Sequence, residues 1–193
     1  MPKQPTVPDR PPLQFYASVL DIEDLPAAQS TVTAVLSDPP PAAILLGFTS
    51  EDPVIVGDMV TALQQPIQAA ETACILLGDP ALAVALGCDG AHLEFTDMPV
   101  KQARATLGDD HILGIGCNYS RHDAMIAAEQ GADYVAFGPY TATSDAEDLS
   151  ALTWWQEMME TPCVAITDDA VNRCFPVMKQ FEFGTKKQNY QKI

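Results

Sequence analysis

The sequence predicts an α/β protein, a (β/α)8 barrel with an atypical or incomplete last β/α unit. Two observations carry this. Apolar runs such as Ala42–Phe48 (AAILLGF), Ala73–Leu77 (ACILL) and Tyr134–Phe137 (YVAF) lack the polar alternation of half-exposed strands, as strands covered on both faces do. Helix-like segments lie between them, so the strands are joined by crossovers and run parallel. Seven such units recur at roughly 22–30 residue intervals, which favours a closed barrel over an open doubly wound sheet. The 193 residues suffice for one core, although they are few for this fold.

The elements follow in order. Residues 1–12 are proline-rich and read as a flexible leader, with the barrel over 13–185 and a polar, basic tail over 186–193. Leu13–Leu20 is a first strand, and Pro26–Ser37 a helix stopped by Pro39-Pro40-Pro41. Ala42–Phe48 is the second strand, followed by a helix over Val56–Ala70 that Pro66 should interrupt. Ala73–Leu77 precedes a short helix, Pro80–Leu86, with proline at its first turn. Gly90–Phe95 and Ile112–Cys117 are strands around a helix, Val100–Leu107, that Gly108 ends. Ser120 and Asp123 have capping-box spacing for the next helix, which Gly131 ends. Tyr134–Phe137 is a strand that Gly138-Pro139 should break. A polar loop over 141–150, a helix at Ala151–Glu160 and a strand at Cys163–Ile166 follow. Beyond Ala170 the pattern degrades, with Phe181–Phe183 the candidate eighth strand.

The charge is −16, from 26 acids and 10 bases, and no Lys or Arg occurs between Pro11 and Val100. Phosphate backbones are held by Lys and Arg, so nucleic-acid binding is excluded, and anionic membrane surfaces are disfavoured for the same reason. No apolar run is long enough to span a bilayer. The five cysteines include no Cys-x-x-Cys pair, so buried free thiols in a reducing cytoplasm are expected. The partners expected are a small molecule or a protein, with a homo-oligomer possible.

The segment from Cys88 to Tyr140 holds the most specific signal. It reads Cys88-Asp-Gly-Ala-His-Leu93, then Asp97, then Gly114-Ile-Gly-Cys-Asn-Tyr-Ser-Arg-His122, and closes with Glu129-Gln-Gly-Ala-Asp-Tyr-Val-Ala-Phe-Gly138. This resembles the thiamine-phosphate synthase family and its relatives, the TenI-type thiazole tautomerases, with order and spacing agreeing over residues 42–166. The resemblance implies a TIM barrel of that type and a link to thiamine biosynthesis. An active synthase is a transferase that joins a pyrimidine methyl diphosphate to a thiazole phosphate and releases diphosphate. Such chemistry needs Mg²⁺ and cationic side chains where charge develops on the leaving group.

Against the family pattern, several positions are degenerate. Leu45, Gly47 and Thr49 stand where the family has Gln, Arg and Lys. Leu77 and Gly78 replace Asn and a metal-binding Asp, and Ala81 replaces another Asp. Glu94-Phe95 replace Gly-Gln, and of the metal-binding acids only Asp97 survives. Thr167 and Asp168 replace a Gly-Gly whose amides approach a phosphate. Residues implied for ligand binding are Gly138, Pro139, Thr141, Thr143 and Tyr119. Mg²⁺ is expected only if the synthase activity persists.

The residues also admit structural readings. Asp97 is a Mg²⁺ ligand or a helix N-cap before Pro99 and Val100. His92 is a base or a hydrogen-bonded barrel residue. Cys117 is a nucleophile or a packed thiol, and Trp154-Trp155 are helix-to-barrel packing or a partner surface. Three functions follow: a catalytically degenerate binding protein, an active synthase, or an enzyme of other chemistry using Cys117, His92, Glu94 and Asp97.

Overall fold

In the computed structural model, which describes residues 14–37, 39–140, 149–167 and 173–178, eight strands close a barrel in chain order. The elements are β1 (Gln14–Ile22), α1 (Leu25–Val35), β2 (Ala43–Phe48), α2 (Pro53–Ala69), β3 (Ala73–Leu77), α3 (Pro80–Leu86), β4 (Gly90–Glu94), α4 (Val100–Leu107), β5 (Ile112–Gly116), α5 (Arg121–Glu129), β6 (Tyr134–Tyr140), α6 (Ser150–Met158), β7 (Cys163–Thr167) and β8 (Arg173–Met178). The first seven strands pair in parallel.

β8 runs antiparallel to both β7 and β1. The connection from β7 to β8 is only residues 168–172, too short for the crossover that a parallel strand requires. This is the atypical last unit. It also moves the eighth strand: Arg173–Met178 closes the barrel, whereas Phe181–Phe183 lies outside the described residues, as do the expected leader and tail.

Helix starts account for part of the acid excess. Asp24, Asp52 and Asp79 each accept first-turn N–H groups, at 2.9 Å, with a proline at the first or second helical position. Carboxylates there also face the positive end of the helix dipole. Ser120 accepts from Asp123 N, as its spacing predicts. Asp89 and Asp133 tie strands together instead. Each accepts the backbone N–H of a strand residue, Cys74 or Leu113, at 2.8 Å.

Two expected breaks do not occur. α2 runs through Pro66, although Pro66 cannot donate to Ala62 O. The missing hydrogen bond lies in the last turn, and fully buried Leu63 and Ile67 anchor the helix on either side of it. β6 likewise continues to Tyr140, with the Gly138-Pro139 signal showing only as an irregularity in its pairing with β7 between Phe137 and Tyr140. Gly138 has φ +127°, and a Cβ there would stand 2.4 Å from Ile166 O, so only glycine lets β6 approach β7.

Side-chain alternation divides the core in two. Tyr16, Leu45, Ile75, Ile112, Tyr134 and Val164 fill the barrel interior. The intervening strand residues pack against the helices in a larger layer. There Trp155, 1% exposed, meets Phe137 edge-on at 5.5 Å and donates its indole N–H to Thr161 O. Trp154 is partly buried beside it, under the Arg121 guanidinium.

Candidate functional site

The inward columns of β1 to β7 converge on a cavity of about 230 Å³ at the C-terminal ends of the strands, where this fold carries its sites. Its floor is a buried hydrogen-bond chain. The Tyr16 and Tyr134 hydroxyls lie 2.7 Å apart, and His92 Nδ1 lies 2.8 Å from the Tyr134 hydroxyl. Burial holds the His92 imidazole down at about 4, so it is neutral at pH 7. The floor fits because Gly114 has no side chain: a Cβ there would meet Tyr134 Cζ at 2.0 Å.

The walls are apolar. Leu20, Leu45, Leu77, Val164 and Ile166 line them. Leu20 and Leu77 close over Gly47, where a Cβ would meet their Cδ2 atoms at 2.9 and 3.0 Å. Thr49 donates its hydroxyl to Ile22 O at 3.2 Å, which ties it to the end of β1. Gly78 has φ +94° and donates its N–H to His92 O. No Lys or Arg lines the cavity among the described residues.

Among the described residues Glu94 is the one acid on this lining. Its carboxylate rests against Gly116, whose Cβ position is 2.5 Å from Oε2. Burial raises its pKa, and the charge of Asp97 raises it further. Asp97 itself accepts from Glu94 N at 2.8 Å. It is not the N-cap of α4: that position is Pro99, with no side-chain capping bond. The turn linking β4 to α4 uses the carboxylate first.

Cys117 does not join this site. Gly116 and Asn118 face the cavity, so Cys117 between them faces the helices. It is 2% exposed, and its thiol is pushed up to about 12 by burial, then by the charges of Asp123 and Glu94. Cys117 and His92 therefore occupy opposite faces of the barrel wall and form no nucleophile–base pair.

Gly138 and Pro139 line the rim, and the exposed Tyr119 reaches over it to donate its hydroxyl to Pro139 O. Tyr119 also meets Tyr140 edge-on at 5.4 Å. Thr167 ends β7, its backbone opposite Tyr140. Thr141, Thr143 and Asp168 lie outside the described residues. Sequence reasoning missed Tyr16 and Tyr134; the alternation of Tyr16, Ser18 and Leu20 on β1 was the available signal.

The family model described as thiamine monophosphate synthase matches residues 50–178. The chain belongs to that family, the TMP-TENI family. Among its relatives, thiamine-phosphate synthase from Rhodospirillum centenum is 43% identical over 155 residues, covering 78% of this chain and 67% of that protein. Thiamine-phosphate synthase from Hyphomonas neptunium is 38% identical over 187 residues, or 90% and 83% of the two chains. The solved thiamine phosphate pyrophosphorylase from Pyrococcus furiosus superposes with a TM-score of 0.67 at 23% identity, over 78% of this chain and 74% of that one, and shares the fold.

The family implies Mg²⁺, and the described residues do not fit it. Among the described residues no group of three or more His, Cys, Asp or Glu could hold a metal. The other family acid positions are Gly78 and Ala81, which offer no side-chain oxygen, and the Asp97 carboxylate is engaged by its own turn. Among the described residues no helix is long and apolar enough to cross a membrane.

Proposed function

We propose that this TMP-TENI barrel has lost the synthase's grip on diphosphate and acts as a ligand-binding protein. One observation carries the reading. The mouth lining has apolar side chains at Leu20, Leu45 and Leu77, and no described cation where a leaving diphosphate would need positive charge. Leu20 and Leu77 close over Gly47, the position at which the family pattern has Arg. Calorimetry with thiazole phosphate and hydroxymethylpyrimidine diphosphate, in Mg²⁺ buffer, tests it. Little or no binding of the pair is expected. Tight, Mg²⁺-dependent binding of both overturns it.

A second reading, an active thiamine-phosphate synthase, is favoured by identities of 43% and 38% to proteins of that name. It expects thiamine phosphate in a coupled assay, rescue of a thiamine-requiring strain, and loss of both in Asp97→Ala. No turnover at high protein concentration removes it. A nucleophilic enzyme built on Cys117 has little support, since the thiol is buried and raised to about 12.

A further inference from the structure

We infer that the barrel mouth selects a single-ring ligand carrying a cationic amine or amidinium group and no phosphate, with Glu94 as its counter-ion. The inference rests on the ligand-binding reading above and names the chemistry of the same cavity.

Three observations carry it. First, Glu94 occupies the inward column of β4 above His92, so its side chain lines the cavity, half-buried at the mouth. Gly116 leaves the carboxylate room against the wall: a Cβ there would stand 2.5 Å from Oε2. Second, the Glu94 backbone N–H is bonded to Asp97, but no described group donates to its carboxylate, and the cavity lining holds no described Lys or Arg. A half-buried carboxylate is partly desolvated, and an incoming N–H cation gives it a charge-assisted partner. Asp97, bonded to the same turn, adds a second negative charge that repels an anion entering here.

Third, the remaining surface sets shape and size. A cavity of about 230 Å³, between Leu45 and Leu77 on one side and Val164 and Ile166 on the other, suits one ring and a short substituent. The neutral His92 and the two tyrosine hydroxyls below supply no formal charge at pH 7. Glu94 stands where the family pattern has Gly, and Leu45 and Gly47 stand where it has Gln and Arg. The sign of the charge at the mouth is thereby reversed.

Benzamidine, benzyl alcohol and benzoate are ring probes of similar size and differ in charge. Calorimetry or ligand-observed NMR on the full chain should show benzamidine binding about tenfold tighter than benzyl alcohol, with benzoate weakest. Glu94→Gln should bring benzamidine down to the benzyl alcohol level, and Glu94→Asp should keep the preference, which separates lost charge from lost folding. Equal binding of the three, a preference for benzoate, or a cation preference surviving in Glu94→Gln overturns the proposal, as does no binding at all. Competition with thiazole phosphate and hydroxymethylpyrimidine diphosphate separates the two readings. If both displace benzamidine tightly and only with Mg²⁺, the ligand-binding reading fails with it; a preference for benzyl alcohol sinks only the cation assignment.

Discussion

The ring of Tyr134 lies directly over Gly114, so that a Cβ on Gly114 would stand 2.0 Å from Tyr134 Cζ and 2.2 Å from its hydroxyl. The glycine on β5 is therefore the socket for the tyrosine on β6. Through that socket Tyr134 reaches both Tyr16 and His92.

Gly114→Ala should destabilise the protein by about 1–3 kcal/mol or more, because the ring cannot move without breaking both hydrogen bonds. Urea denaturation measures this. In a Tyr134→Ala background the same substitution should cost much less, since the socket is empty. Equal costs in the two backgrounds would show that the ring is not what excludes a side chain at Gly114.

His92 titrates at about 4 in the folded barrel, against 6.5 for an ordinary imidazole. Between those values the unfolded chain binds a proton that the folded one refuses. Its contribution therefore rises with pH through this window and is lost as pH falls from 6.5 towards 4. His92→Gln should flatten that part of the stability–pH curve relative to the parent, by up to about 3 kcal/mol. A parallel pair of curves would contradict a buried neutral imidazole.

Cys117 should resist alkylation at pH 8 in the native protein, because its thiol is buried and raised to about 12. Mass-spectrometric mapping after iodoacetamide should find Cys74, Cys88, Cys117 and Cys163, all buried, modified only in denaturant. Rapid native labelling of Cys117 would reopen the nucleophile reading.

Arg104 donates to Gly108 O, His111 O and Gly131 O and pairs with Asp133 at 2.5 Å, joining the end of α4 to the approaches of β5 and β6. A lysine has neither the fork nor the number of donors to replace these bonds. Arg104→Lys should cost about 1–3 kcal/mol in chemical denaturation, since several carbonyls lose a charged donor. An unchanged midpoint would mean that water replaces the guanidinium freely.

Element order was legible in the sequence wherever a local signal marked it. Asp79-Pro80, Ser120 and Gly108 announce helix ends by their own chemistry, and α3, α4 and α5 lie where those signals place them. Pro66 and Gly138-Pro139 misled for the opposite reason. Their local preference is to break an element, and burial of Leu63 and Ile67, or pairing of β6 with β7, outweighs it. The candidate site was legible only as positions: His92, Glu94 and Gly138 were in view, yet Cys117 stood beside them with nothing in residue type to set it apart.

The sequence by itself determined the family, the succession of strands and helices, and the absence of Lys and Arg from Pro11 to Val100. Each is written in residue type and spacing. Tertiary structure decided which face each strand residue takes, because barrel register sends Glu94 inward and Cys117 outward though both stand at strand ends. It also decided how the barrel closes, since a connection of residues 168–172 leaves β8 no direction but antiparallel. Closure then gathers Leu20, Leu77 and Glu94, distant in the chain, around one mouth, where their shared lack of a cation acquires a chemical meaning.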